Sequence, residues 1–254
     1  MPGPAVDPHP RILTAEAPPV PLLVLVAVDF EARRLARALG RPAAGDRADR
    51  GDLVLRRVGL AAADLPRLEP DLLACRPAAV LVTGLAGGCA PDVAPGEIVV
   101  ATAVGPTPSG DWLAPAAPLV ERALAALRTD GLPHRTGRLL TVPAVVATPT
   151  AKAECWRGQG ALAVDMESAH VVAWAARAGL PALAVRAVAD GPADALPPAL
   201  LRAIGPDGTL RGRAVLGWAA SPALVGAGWR LWRRSRTALD RLARFLTAFT
   251  GVRP

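Results

Sequence analysis

Val164–Asp190, VDMESAHVVAWAARAGLPALAVRAVAD, is the stretch from which the fold can be read. Met166 to Ala178 carries Val171, Val172, Trp174, Ala175 and Ala178 at helical spacing. Gly179-Leu180-Pro181 follows, a glycine and then a proline where a helix should stop. Ala182–Ala189 is a nearly continuous apolar run, the pattern of a strand buried on both faces of an α/β sheet. Acids mark both ends of this unit: Asp165 and Glu167 precede or open the helix, and Asp190 falls where the strand stops. Ligands of open α/β sheets bind beyond the carboxyl ends of the strands, so Asp190 stands where a site is expected. The helix dipole favours acids at its N-terminus and aspartate is a common turn residue, so the pattern alone leaves both readings open.

Upstream, Leu22–Val28 reads as a first strand, followed by Asp29-Phe30-Glu31 and a helix that ends at Gly40. Arg41–Asp52 reads as a polar turn, Leu53–Val58 as a second strand, and Ala61–Ala74 as a helix interrupted by Pro66 and Pro70. Ala79–Thr83 is the next apolar strand, and Gly84–Gly88 (GLAGG) a glycine-rich loop after it. Such glycines let the backbone approach a ligand and point its N–H groups at it. No GK[ST] follows, so the loop is not a P-loop. Ile98–Val104 reads as a strand, Leu119–Leu127 as a helix, and Arg138–Val142 and Val145–Ala147 as short strand segments flanking Pro143. Lys152 sits on the next helix and reads as a surface charge.

With 254 residues, 52% of them hydrophobic, the chain can bury one substantial core, and one domain is expected. Cys75, Cys89 and Cys155 lack C-x-x-C spacing, and His9, His134 and His170 are scattered, so neither a disulfide framework nor a metal site is expected. A reducing, cytoplasmic compartment fits. Residues 1–19 hold six prolines and no basic segment leading into an apolar one; they read as a disordered lead-in rather than a signal peptide. The apolar run Val20–Val28 is too short to span a bilayer.

The net charge of +7 is unevenly placed: from Arg211 onward there are nine arginines and one acid, a net of +8, which leaves the rest at −1. Past Asp190 a proline-rich stretch reads as a loop with a short helix over Pro198–Ile204. From Ser221-Pro222 a long helix is expected to about Phe249. Leu224, Leu231, Trp232, Ala238, Leu239, Leu242, Phe245, Leu246 and Phe249 share one broad face of it. Arg230, Arg233, Arg234, Arg241 and Arg244 share the other. This is either a packed helix with a solvated basic face or a surface helix for a membrane; three of the six tryptophans lie in the tail, which favours the second. No nucleic-acid recognition fold accompanies the charge, and nucleic acid is not an expected partner. The expected division is a lead-in over 1–19, a catalytic domain over 20–212 and a basic amphipathic tail over 213–254.

VDMES followed by VRAVAD resembles the signature of the purine nucleoside phosphorylase and methylthioadenosine/S-adenosylhomocysteine nucleosidase superfamily. That resemblance implies an α/β fold, a three-layer α-β-α sandwich with a mixed central sheet and here a C-terminal amphipathic helical extension. It implies an N-glycosidic cleavage in which Met166 and Glu167 hold the ribose and Asp190 faces N7 of the base. Ala27 and Glu31 keep the spacing of the nucleosidases' A-x-x-x-E, whose Glu activates water. Gly84, Leu85, Ala86, Gly87 and Gly88 match the family's base and nucleophile loop, but Val82 and Leu85 stand where phosphorylases carry a phosphate-binding Arg and Ser. Val145 takes the position of an aromatic residue that stacks on adenine. The tail, with ALPPALLRAIGPDGTL (residues 195–210) before it, resembles the hopanoid-associated phosphorylases. This narrower likeness implies release of adenine from adenosylhopane, a nucleoside-bearing lipid, by a homo-oligomer held peripherally on the inner face of the cytoplasmic membrane. No cofactor is implied, and inorganic phosphate stays open as a co-substrate. The alternatives are a soluble methylthioadenosine/S-adenosylhomocysteine nucleosidase or other purine nucleoside phosphorylase, and a non-catalytic membrane adaptor that keeps the fold.

Overall fold

The computed structural model describes residues 21–40, 47–50, 53–199 and 221–251. The expected lead-in over 1–19, most of the Pro198–Ile204 helix and the segment 213–220 lie outside the described residues. Alternation along the first strand sets the layering. In β1 (Leu22–Val26) Leu23 and Leu25 face one core, and Val24 and Val26 face the other, because successive strand side chains point to opposite faces. β1 lies parallel between β3 (Leu53–Arg57) and β4 (Ala79–Gly88), and β2 (Arg47–Arg50) adds an antiparallel edge to β3. Residues 47–50 therefore do not belong to a polar turn. Their charged sequence hides a strand at the edge of the sheet.

β8 (Ala182–Asp190) runs parallel to β4 and antiparallel to β5 (Ile98–Gly105). β5, β6 (His134–Thr141) and β7 (Ala161–Asp165) follow in parallel, and β7 returns to pair Gly87 and Gly88 of β4. β4, β8, β5, β6 and β7 thus close on themselves, making the sheet mixed as expected. GLAGG is the second half of β4 and not a loop: Gly84 to Gly87 pair with β8, and Gly87 and Gly88 also pair with β7. β7 is a strand that the sequence pattern does not announce, and Val145–Ala147 is not one.

Helices cover both faces. On one side α1 (Asp29–Ala38), α3 (Ala117–Thr129) and α6 (Pro222–Thr250) pack over Val24, Val26, Leu81, Val100 and Val185. On the other, α2 (Leu65–Ala74) and α5 (Ser168–Arg177) cover Leu23, Leu25, Val80, Val82 and Val99. α4 (Pro149–Gln159) packs beside β6 and β7 through Trp156. α6 spans the helix expected from Ser221-Pro222, but its apolar face is divided. Ala238, Leu239, Leu242, Ala243, Phe245, Leu246 and Phe249 are buried in the domain core. At about 1.5–3 kcal/mol for each large apolar side chain fully buried, this half of the helix is a structural member of the fold. Its charges are tied in as well: Asp240 accepts from Arg34 Nε at 2.6 Å, Arg244 pairs with Asp130 at 3.3 Å, and Arg122 Nε donates to Phe249 O at 2.9 Å. The first half differs, with Val225, Trp229 and Trp232 exposed.

Candidate active site

The carboxyl ends of β1, β4 and β8 converge, and four acids gather there. Glu31 stands in the first turn of α1 and is almost fully buried. Its Oε2 accepts from the backbone N–H groups of Ala27 (3.2 Å) and Val28 (3.4 Å), and Oε1 from that of Leu85 on β4 (2.8 Å). Asp165 ends β7, and Met166 and Glu167 form the bend into α5, with Met166 half-buried and Glu167 buried. Glu167 Oε1 accepts from Ala61 N–H at 3.2 Å. Ala61 and Ala62 both hold positive φ, 52° and 55°, a costly backbone state of the kind that gathers at functional sites.

Arg186, in the middle of β8, holds this group together. Its Nε lies 2.8 Å from Asp165 Oδ2 and 3.1 Å from Ser168 Oγ, Nη2 is 3.3 Å from Glu167 Oε2, and Nη1 donates to Thr83 O at 3.3 Å. Asp165 Oδ1 accepts from Thr141 Oγ1 at 2.8 Å. Two buried carboxyls therefore pair with one guanidinium and a third, Glu31, lies within its field, and the imbalance shows in the acidity of Glu167 and Glu31. Burial pushes Glu167 up to about 7, opposed by Arg186 and reinforced by Asp165 and Glu31. Burial also raises Glu31, against Arg186 and the three backbone N–H groups. Desolvation works against the charge on Arg186, but Asp165, Glu167 and Glu31 outweigh it and hold its pKa above the usual value.

Asp190, the last residue of β8, lies further along the same strand. The β4–β8 register skips a residue, pairing Ala86 with Val188 but Gly87 with Asp190, an irregularity that re-aims a side chain at a strand end. Asp190 is buried, and burial raises its pKa while Lys152 lowers it. Lys152 corrects the reading of its position as a surface charge. It is 0% exposed, its Nζ is bonded to Asp190 Oδ2, and it also donates to Gly191 O at 2.7 Å and Asp194 O at 2.9 Å. Asp194 Oδ2 closes the turn by accepting from Gly191 N–H at 2.7 Å and from Arg234 of α6 at 2.5 Å.

Of the expected site residues, Glu31, Glu167, Gly84 and Leu85 meet around Arg186, and Gly87 meets Asp190. Ala86 is directed into the core under α5. Val145 is 48% exposed on the β6–α4 loop, to which Leu196 N–H is bonded through Ala147 O at 2.8 Å. Sequence reasoning misses Arg186, Asp165 and Lys152 as site residues. A charge inside the apolar run 182–189 needs buried partners, and that is the available sign for Arg186. For Lys152 the sign is composition: it is the only lysine in the chain. Among the described residues no group of His, Cys, Asp and Glu could hold a metal ion.

A family model described as the phosphorylase superfamily matches residues 21–203. Several solved structures share the fold. The 5′-methylthioadenosine/S-adenosylhomocysteine nucleosidase of Helicobacter pylori superposes with a TM-score of 0.64 at 16% identity, over 90% of this chain and 98% of that one. The corresponding nucleosidase of Neisseria meningitidis gives 0.64 at 17% identity, over 90% and 97%. Futalosine hydrolase of Helicobacter pylori gives 0.64 at 15% identity, over 89% and 97%. No curated protein matches the sequence.

Proposed function

The chain belongs to the phosphorylase superfamily, as an enzyme of nucleoside N-glycosidic bond cleavage, and from that premise we propose that it hydrolyses an adenosyl compound and releases adenine. In this reading the C1′–N9 bond breaks through an oxocarbenium-like state. Asp190 gives a proton to N7 of the leaving base, Met166 and Glu167 hold the ribose, and Glu31 takes a proton from the attacking water.

The observation that carries water over phosphate is the excess of acid around Arg186. A phosphate dianion needs several charge-assisted donors. Val82 is buried in the core under α5, Leu85 offers no polar side chain, and its backbone N–H is taken by Glu31. Arg186 and Lys152 are both engaged by carboxylates. Admitting a neutral water and taking a proton from it asks less of such a site than admitting an anion does.

The substrate proposed is adenosylhopane, presented at a membrane. Its support is the first half of α6. Val225, Trp229 and Trp232 are exposed along one stripe, the two indoles stack at 4.9 Å, and Arg230, Arg233 and Arg236 are exposed around them. Aromatic rings flanked by arginines suit the boundary between lipid headgroups and acyl chains. No helix among the described residues is long and apolar enough to cross a membrane.

The test is to incubate the protein with adenosylhopane in vesicles, and separately with methylthioadenosine and S-adenosylhomocysteine, with and without phosphate, and to identify the sugar product by mass. Free ribosyl hopane at a phosphate-independent rate is expected. A phosphoribosyl product that requires phosphate would overturn hydrolysis, and efficient turnover of the soluble nucleosides alone would overturn the lipid substrate.

A further inference from the structure

Lys152 is the only lysine among 29 basic residues, and it is one of the largest side chains buried entirely. Its ammonium has three acceptors, Asp190 Oδ2 and the carbonyls of Gly191 and Asp194. An ammonium carries three donors at tetrahedral angles on a compact centre, whereas a guanidinium is a broad planar fork. A chain that otherwise uses arginine for every other cation has placed the compact one at this site. The two carbonyls come from the turn that follows Asp190, so the same ammonium fixes both the carboxylate and the backbone leading away from it. That turn is held from outside by Asp194, which accepts from Gly191 N–H and from Arg234.

We propose that Lys152 is the positioning residue that sets the acid strength of Asp190. The inference rests on the reading of Asp190 as the general acid. As the glycosidic bond breaks, the Asp190 O–H bond gives its proton to N7, the C1′–N9 electron pair passes into the base, and Asp190 is left as a carboxylate. In a buried site that carboxylate would be strongly disfavoured, and the Lys152 ammonium bonded to it compensates its charge. Burial raises the pKa of Asp190 and Lys152 opposes the rise. Among the described residues, the other charged or titratable groups facing Asp190 are Asp194 on the following turn, Arg234 on α6 and the Cys89 thiol just past β4. Burial pushes Cys89 up to about 12, so it stays neutral through the working range. Asp194 is already paired with Arg234, which leaves Lys152 as the cation bonded to the acid.

The experiment compares pH–rate profiles for adenine release from adenosylhopane vesicles by the wild-type protein, Lys152→Met, Lys152→Gln and Asp190→Asn, with folding of each checked by circular dichroism. A general acid works while protonated, so activity falls as pH rises through its pKa. Removing a neighbouring cation should move that alkaline limb upward by about one to three pH units. It should also lower the plateau about tenfold or more, because the carboxylate left behind is no longer compensated. A residue that only supported the fold would lower the rate and leave the limb in place, and that result for a folded Lys152 variant overturns the proposal. Lys152→Gln keeps hydrogen bonding without the charge and serves if Lys152→Met does not fold. Near-normal activity in Asp190→Asn would instead sink the general-acid reading itself. A large loss there with an unmoved limb in the Lys152 variants sinks only the role of Lys152.

Discussion

Glu31 and Arg186 meet across Gly84 with no room for a side chain between them. A β-carbon on Gly84 would lie 2.8 Å from Glu31 Oε1 and 2.7 Å from Arg186 Nη1, and the backbone there has φ +143°. One residue on β4 therefore lets a carboxyl from α1 and a guanidinium from β8 face each other, while the next residue, Leu85, donates its N–H to the carboxyl.

Gly84→Ala should consequently damage the site more than its single methyl suggests. The contact and the backbone conformation each cost roughly 1–3 kcal/mol, and Glu31 or Arg186 must shift to admit the new atom. Thermal unfolding should fall by several degrees and adenine release by about 100-fold or more. A variant with wild-type Tm and activity would show that the two side chains are not held together as described.

Arg186→Met keeps an unbranched apolar stem in place of the arginine's and removes the cation shared by Asp165 and Glu167. Breaking a buried pair by deleting one partner typically costs about 3–5 kcal/mol. The orphaned carboxyls can recover part of this by taking up protons, so the loss should be larger at pH 8 than at pH 5. Urea unfolding at the two pH values measures it; an equal loss at both would contradict the carboxyl cluster as the cause.

Glu167 makes the wild-type protein pH-sensitive in a definite direction. Its folded pKa is raised from 4.5 to about 7, so between those values the folded state binds more protons than the unfolded one. Stability must then fall as pH rises through this window. Glu167→Gln removes the titrating group and should flatten that slope, observable as converging urea midpoints at pH 5 and pH 7.5. A slope as steep as the wild type's would place the proton elsewhere.

The two halves of α6 should respond oppositely. Phe245→Ala empties a fully buried site and should cost about 3–5 kcal/mol. Trp229→Ser with Trp232→Ser changes side chains that are 57% and 48% exposed; Tm should stay within a degree or two while binding to anionic vesicles in a flotation assay drops severalfold. Unchanged vesicle binding would remove this face as the membrane contact. Deleting the whole helix would test neither point, because it strips the core that Ala238–Phe249 complete.

Elements with local signals are legible in the amino-acid sequence itself. Gly179 and Pro181 bound α5, Ser221-Pro222 opens α6, and the apolar run from Ala182 is β8, since caps, helix breakers and periodicity act within a few residues of the chain. Glu31, Glu167 and Asp190 stand out with their motifs, and all three are buried at the ends of strands or the starts of helices. Gly84–Gly88 reads wrongly as a loop because nothing in five mostly small residues announces a ladder; their partners are Ala163 and Val164 of β7 and the half of β8 from Arg186 on. Residues 47–50 read wrongly as a turn for a similar reason, as their pairing to β3 is a backbone matter that charged side chains conceal.

The positions that only tertiary structure decided are those whose state depends on a distant charge. Lys152 has the sequence context of a solvated helix residue, yet Asp190, 38 positions away, and the turn after it supply the acceptors that allow its burial. Arg186 is a strand residue by pattern, and Asp165, Glu167 and Glu31, brought in from β7, the bend after it and α1, turn it into the centre of the site. The amphipathic face of α6 is legible along its whole length, but which half meets the core depends on where α1, α3 and β8 stand. Hydrophobic periodicity says that a face will be covered and not by what, because burial is non-directional. A buried charge, in contrast, is stable only against particular atoms, and the chain brings those atoms together only when the sheet closes.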